Sequence, residues 1–136
     1  HVHEHADLSD GAIAALLEAL PPAGRILAPL TIGGHVDHRL TRLAAERCFG
    51  DDLFYYEDYP YAREPGALDA VLPRPRHLWT STVMPVGDAA MAKKLAAILA
   101  YASQLSTFFD DVADTIAQVR AFTVRNGGER LWSRKQ

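Results

Sequence analysis

The feature that most constrains the fold is a short apolar segment, residues 25–30, with turn-forming residues on both sides. A short apolar run of this kind is typical of a strand that is buried on both faces. Such strands occur in parallel sheets, whose faces are covered by helices. Amphipathic helices are predicted on either side of it along the chain, over residues 11–20 and 36–47. The segment therefore predicts an α/β fold.

The rest of the chain continues this alternation of strands and helices. The further predicted elements are a strand over 53–56, an irregular connection over 62–76, a strand over 78–84, one long helix over 88–108, and a helix over 112–125. This order predicts an α/β, Rossmann-like three-layer sandwich with a mostly parallel sheet. Three strands make a thin sheet, so we expect the sheet to be incomplete at its N-terminal side.

Composition and charge narrow the classes of function. Hydrophobic residues make up 49% and charged residues 23%, which is the balance of a folded domain. The net charge is −3 and no basic block is present, so binding to nucleic acid is not expected.

No apolar run approaches the roughly 18 residues of a membrane span. The single cysteine, Cys48, cannot form an intrachain disulfide, and a cytoplasmic location is expected. A homo-oligomer remains possible.

A glycine turn with two histidines follows the first predicted strand. Gly33 and Gly34 precede His35, Asp37 and His38 at the start of the next helix, where open α/β sheets bind their ligands. Histidines three residues apart emerge on one side of a helix. One imidazole could bind Zn²⁺, the other could stabilise charge on a substrate oxygen, and Asp37 could fix a tautomer. The alternative interpretation is a pair of solvent-exposed histidines with no chemical role.

Two carboxylates follow the second predicted strand. Glu57 and Asp58 could act as paired carboxylates or bind substrate hydroxyls, and so line a substrate site. A solvated turn that closes onto Pro60 explains them equally well.

Four linked motifs resemble the zinc-dependent N-deacetylases of the PIG-L or LmbE-like type, which remove acetyl groups from N-acetylglucosamine conjugates and related amides. The motifs are Ala-Pro-Leu at 28–30, Gly-Gly-His-Val-Asp-His-Arg at 33–39, Tyr-Glu-Asp-Tyr-Pro-Tyr-Ala at 56–62, and Gly-Gly-Glu-Arg-Leu-Trp at 127–132. Together they extend over most of the chain. The resemblance implies a metal-dependent hydrolase whose cofactor is Zn²⁺ and whose substrate is a small acetamido-sugar conjugate.

The resemblance also implies roles for individual residues. By analogy with the family motif, His38 is a metal ligand and His35 is the acid or oxyanion-stabilising imidazole. Asp37 would orient His35. In this scheme metal-bound water attacks the acetamide carbonyl, and the metal polarises that carbonyl.

One part of the family pattern is missing from the chain. The family's His-Pro-Asp-Asp segment, which supplies a His ligand, an Asp ligand and the general base, does not occur in this sequence. A catalytic zinc usually has three protein ligands, so the motif around His38 does not complete a site alone. The N-terminal His1, His3 and His5 lack the Pro-Asp-Asp context and are interpreted as loop or linker residues.

These observations predict that residues 1–136 are the C-terminal portion of a single LmbE-like deacetylase domain. The chain begins with His1 rather than Met, which agrees with this interpretation. The missing segment would then act in cis or in trans. The alternative is a non-catalytic sugar-binding or interaction module that keeps the fold but lacks a complete metal site.

Overall fold

The computed structural model describes residues 11, 15, 19–21, 23–50, 52–72 and 74–135. The helix predicted over residues 11–20 is described at four positions, of which Gly11, Ala15 and Ala19 are helical and Leu20 lies in a bend. The N-terminal histidines lie outside the described residues. The chain divides into two compact units, one formed by His1–Ser81 with Leu131–Gln136 and the other by Thr82–Arg130.

The first unit begins with a parallel strand pair joined by a helix. Strand β1 (Ile26–Pro29) lies parallel to β2 (Leu53–Tyr56), and α1 (Val36–Phe49) connects them. Parallel neighbours require a crossover of this kind, because the chain must return to the same end of the sheet. The α/β fold predicted from the apolar segment is therefore confirmed.

The core of the first unit lies around β1 and β2. Its buried members are Ala28, Leu30, Ile32, Leu53, Tyr55, Leu72 and Trp79. The rings of Tyr55 and Trp79 meet edge to face, with centroids 5.5 Å apart. Full burial of a Leu or Ile side chain contributes about 1.5–3 kcal/mol. The burial of Leu30 and Ile32 therefore fixes the chain at the point where β1 ends.

The connection predicted to be irregular over residues 62–76 contains short helices. Tyr61–Arg63 and Arg76–Leu78 are 3₁₀ turns, and α2 (Ala67–Val71) lies between them. Leu68 and Val71 of α2 pack against the core. The Pro and Gly residues of this segment interrupt the helical periodicity of the sequence but still allow single helical turns. The sequence pattern therefore does not indicate these turns.

The sheet has four strands in the order β1-β2-β4-β3, where β3 is Trp79–Met84 and β4 is Glu129–Arg134. Strand β4 pairs with β2 in the antiparallel direction, with Tyr55 opposite Trp132. The sheet is therefore mixed, and the prediction of a mostly parallel sheet needs correction. Charged and apolar residues intermingle in β4, which suits an antiparallel position better than a parallel strand buried on both faces.

The second unit consists mainly of three helices, α3 (Asp88–Leu99), α4 (Ala102–Phe108) and α5 (Val112–Arg125). The prediction of one helix over 88–108 was wrong, because the chain leaves helical geometry at Tyr101, with φ −85° and ψ 48°. The amide of Tyr101 donates to Ile98, so the last turn of α3 tightens before the break.

Helix α5 is capped and packed within the second unit. Its N-cap Asp111 accepts a 2.7 Å hydrogen bond from the amide of Asp114. The ammonium of Lys94 on α3 donates to Thr123 on α5 at 3.2 Å and also pairs with Glu129. None of the described helices has both the length and the apolar character needed to cross a bilayer.

Candidate active site

The loop between β1 and α1 is tightly turned. Three of its residues have left-handed backbone conformations, with φ of 68° at Thr31, 86° at Gly33 and 70° at Gly34. The amide of Gly34 donates to the carbonyl of Thr31 at 3.0 Å and closes the turn. Positive φ is costly for a residue with a side chain such as Thr31 and is typical of functional loops. The turn places His35 directly at the start of α1.

Gly33 has a second constraint besides its backbone conformation. A Cβ atom at this position would overlap the ring of Tyr61, which belongs to the segment after β2. The loop after β1 and the segment after β2 therefore pack against each other through a glycine. This contact brings together the two motifs that the sequence places after separate strands.

His35 is the N-cap of α1. Its Nδ1 accepts a hydrogen bond from the main-chain amide of Asp37 at 3.3 Å, while the Asp37 carboxylate lies 3.8 Å from the same nitrogen. The side chains of His35 and Asp37 are 46% and 70% exposed. Asp37 thus contacts His35 through its main chain at hydrogen-bond distance, and the ring of His35 faces solvent in part.

His38 is held by a buried carboxylate. Its Nδ1 lies 2.6 Å from Oδ1 of Asp58, and Oδ2 of Asp58 accepts the amide hydrogen of Ile32 at 2.9 Å. Asp58 is only 1% exposed, whereas the His38 side chain is 34% exposed. A buried carboxylate requires hydrogen-bond donors to offset its desolvation. Asp58 has two hydrogen-bond partners, His38 and Ile32, and it connects α1 to the loop after β1.

The two histidines lie on the same side of the first turn of α1. Their ring centroids are 5.4 Å apart and the rings are tilted by 49°. The structure thus brings His35 and His38 together as their spacing predicts. Both rings keep exposed surface, so a ligand can reach them.

Glu57 and Asp58 have different surroundings although they are adjacent. Oε1 of Glu57 accepts a 2.8 Å hydrogen bond from the indole N–H of Trp132. Asp58 is buried, and its two oxygens are bonded to His38 and Ile32. This placement favours a positioning role for Asp58 over direct contact with a substrate. Glu57 keeps partial exposure at the end of β2.

A polar cluster that sequence reasoning missed fastens α1 to the strands. Arg42 donates to Glu46 at 2.9 Å and to the carbonyl of Leu30 at 3.0 Å, and the Tyr55 hydroxyl donates to Glu46 at 3.0 Å. Burial and the nearby Glu46 carboxylate raise the pKa of Tyr55 to about 12. The i,i+4 spacing of Arg42 and Glu46 was a visible signal, but nothing in the sequence indicated Tyr55 as their partner.

The described residues provide only part of a metal site. A histidine whose Nδ1 is bound by a carboxylate presents Nε2, which is the arrangement of zinc-ligating histidines in general. His38 fits this arrangement. Within the described part of the chain, however, no three His, Cys, Asp or Glu side chains form a group that could hold a metal ion. These residues therefore fit one zinc ligand and not the complete set.

The chain is similar in sequence to one known deacetylase and in fold to two solved ones. Over 60 residues it is 42% identical to a 2'-N-acetylparomamine deacetylase from Streptomyces fradiae, and this alignment covers 40% of the chain and 22% of the relative. No protein-family model matches the chain.

Two solved deacetylases share the fold. The zinc-inhibited form of teicoplanin deacetylase Orf2 matches with a TM-score of 0.69 and 21% identity, covering 93% of this chain and 50% of that one. The A40926 pseudoaglycone deacetylase Dbv21 matches with a TM-score of 0.65 and 25% identity, covering 92% and 54%. This chain thus spans about half the length of the solved deacetylases that it matches.

Proposed function

We propose that this chain is the C-terminal portion of a zinc-dependent N-deacetylase domain, a hydrolase that removes the acetyl group from an N-acetylglucosamine-type conjugate or a related acetamide. The observation that carries the proposal is His38, whose Nδ1 is bound by a buried carboxylate and whose ring remains accessible. The homology to deacetylases supports the reaction class. The names of the relatives support an acetylated amino sugar as the substrate class.

In this proposal the two histidines have separate roles. His38 would hold the metal through Nε2, since its Nδ1 is bonded to Asp58. His35 accepts the Asp37 amide hydrogen at Nδ1, so the proton of its neutral ring is on Nε2, where it can be donated to the acetamide oxygen as negative charge develops. A bound zinc ion supplies Lewis acidity and activates water. Glu57, at the end of β2, is the candidate for contact with sugar hydroxyls.

The remaining ligands must come from outside the described residues. A catalytic zinc has about three protein ligands, and the described residues offer one with the required surroundings. We propose that a segment with the family's His-Pro-Asp-Asp motif completes the site, in cis or in trans. About half of each solved relative lies outside the match, which leaves ample length for such a segment.

Acetate release tests this function. The chain is assayed with Zn²⁺ on N-acetylglucosamine conjugates, alone and together with a segment that carries His-Pro-Asp-Asp. In the active preparation, His38→Ala is expected to lower both zinc content and acetate release. His35→Ala is expected to lower acetate release by about 10²–10³-fold and to leave zinc content unchanged, as for loss of an oxyanion donor.

His77→Ala is the matched control, because His77 is exposed in the 3₁₀ turn before β3. It should change neither quantity. The proposal is contradicted if no preparation releases acetate and His38→Ala leaves the zinc content unchanged.

A second candidate function is a non-catalytic sugar-binding or interaction module. The observation that favours it is the lack of a three-residue metal group within the described part of the chain. Sugar binding that persists after chelation of metal, and in His38→Ala, would support this function over the hydrolase.

A further inference from the structure

Asp58 is a buried charged group whose position the reaction itself does not explain. Its side chain has no exposed surface, and each of its oxygens has one hydrogen-bond partner in the protein. One partner, the amide of Ile32, belongs to the main chain and can only donate. The other, Nδ1 of His38, belongs to a ring that exists in two neutral tautomers.

The chemistry of the carboxylate selects one of these tautomers. An ionised carboxylate can only accept hydrogen bonds. At a separation of 2.6 Å, Nδ1 of His38 must therefore carry the proton that Oδ1 of Asp58 accepts. In the neutral ring the lone pair is then on Nε2.

We propose that Asp58 is a positioning residue that holds His38 in the Nδ1–H tautomer, so that Nε2 is available as a metal ligand before any metal binds. The same carboxylate ties His38 to the loop after β1 through Ile32. Its two oxygens therefore set both the protonation pattern of the ring and its place relative to His35. The statement about the metal rests on the proposed function, but the statement about the tautomer does not.

The substitution Asp58→Asn tests this proposal, because the Asn side chain has one oxygen that accepts hydrogen bonds where the Asp carboxylate has two. The amide hydrogen of Ile32 is a fixed donor and is expected to keep that oxygen. The side-chain NH₂ group then faces Nδ1 of His38, which must accept. The reverse orientation would leave two buried donors facing each other, which is less favourable than a change of tautomer. Asp58→Asn should therefore move the ring proton of His38 to Nε2.

Long-range ¹H–¹⁵N correlation spectra, recorded at a series of pH values so that the neutral form of the ring is recognised by its own chemical shifts, test this inference. The signals of His38 are assigned by their loss in His38→Gln. The Nδ1–H pattern is expected in the wild-type chain, and the Nε2–H pattern is expected in Asp58→Asn. Glu57→Gln is the matched control, because it alters the neighbouring carboxylate, which accepts a hydrogen bond from Trp132, and should leave the ring of His38 unchanged.

An Nε2–H pattern in the wild-type chain would overturn the inference, as would an unchanged pattern in folded Asp58→Asn. If Asp58→Asn fails to fold, the wild-type spectrum decides alone. Titration with zinc in the presence of a segment that carries His-Pro-Asp-Asp gives a second readout, and Asp58→Asn should weaken zinc binding at His38 by about 10–100-fold. If the wild-type chain shows the Nδ1–H pattern but binds no zinc at His38 even with that segment added, the proposed function fails while the tautomer assignment stands.

Discussion

Gly33 and Gly34 are adjacent residues with similar backbone conformations but different surroundings. Both have positive φ, 86° and 70°. A Cβ at Gly33 would overlap the Tyr61 ring, whereas a Cβ at Gly34 would meet nothing within 4 Å. The pair therefore separates the cost of backbone strain from the cost of a steric clash.

Gly33→Ala should lower the free energy of unfolding by about 2–4 kcal/mol, since left-handed strain and overpacking add. Gly34→Ala carries the strain alone and should cost about 1–2 kcal/mol. Urea denaturation followed by circular dichroism measures both values. Equal losses for the two variants would show that the ring of Tyr61 moves aside without cost, which contradicts close packing of the two loops.

At the residue scale, sequence reasoning predicted neighbours along one helix better than partners from different elements. The spacing of His35 and His38 was enough to place both rings on one side of α1. The bond from His38 to Asp58 crosses 20 positions of sequence and was not predicted. Strand alternation would even turn Asp58 away from the core, because Leu53 and Tyr55 are buried. The strand ends at Tyr56, so strand alternation does not extend to Asp58, which is 1% exposed.

At the scale of elements, α1 is fastened to the sheet by polar contacts as well as apolar packing. The Tyr55 hydroxyl on β2 donates to Glu46 on α1, and Arg42 joins the same carboxylate to the end of β1. Because His38 lies on α1, these contacts also hold the candidate metal ligand in place.

Tyr55 makes this attachment sensitive to alkaline pH. Its pKa is raised from 10.0 to about 12, first by burial and then by the Glu46 carboxylate, so the fold favours the neutral phenol. The stabilisation is complete below the unfolded pKa of 10.0, and it is lost as pH rises from there toward 12. The free energy of unfolding should therefore fall across this range, as measured by urea denaturation at a series of pH values.

Tyr55→Phe removes the titrating group. It should cost about 1 kcal/mol at neutral pH through the lost hydrogen bond and should reduce the alkaline decline, to which Tyr56 also contributes because burial raises its pKa. Tyr101→Phe is the control, because the Tyr101 side chain is 70% exposed and its hydroxyl adds little to the fold. An alkaline decline that persists unchanged in Tyr55→Phe would assign the effect to another group.

The elements themselves were predicted from local patterns, and the errors came from tertiary structure. Apolar runs and amphipathic spacing located β1, α1 and β2 because burial determines both the pattern and the element. The direction of β4 depends on its pairing with β2, which a local pattern does not encode. The break at Tyr101 interrupts a continuous helical pattern that contains neither Gly nor Pro, so the local sequence did not predict it.

At the scale of the whole molecule, the described residues provide one part of the candidate site. The described residues supply one oriented histidine, a second imidazole 5.4 Å away and a buried carboxylate behind the first. The chain spans about half the length of its solved relatives. Zinc retention measures how nearly complete the site is, because tight binding requires several protein ligands at once.

Zinc-loaded protein, dialysed against metal-free buffer, should retain well below one zinc per chain, since His38 alone cannot hold the ion against exchange. Addition of a segment with His-Pro-Asp-Asp should raise retention toward one zinc, and His38→Ala should abolish that gain. Metal analysis by mass spectrometry measures each preparation. Stoichiometric zinc in the chain alone would contradict the expectation and direct attention to His1, His3 and His5. Joint replacement of those three by Ala then decides, because zinc that survives both this variant and His38→Ala is bound at a different site and cannot serve the proposed chemistry.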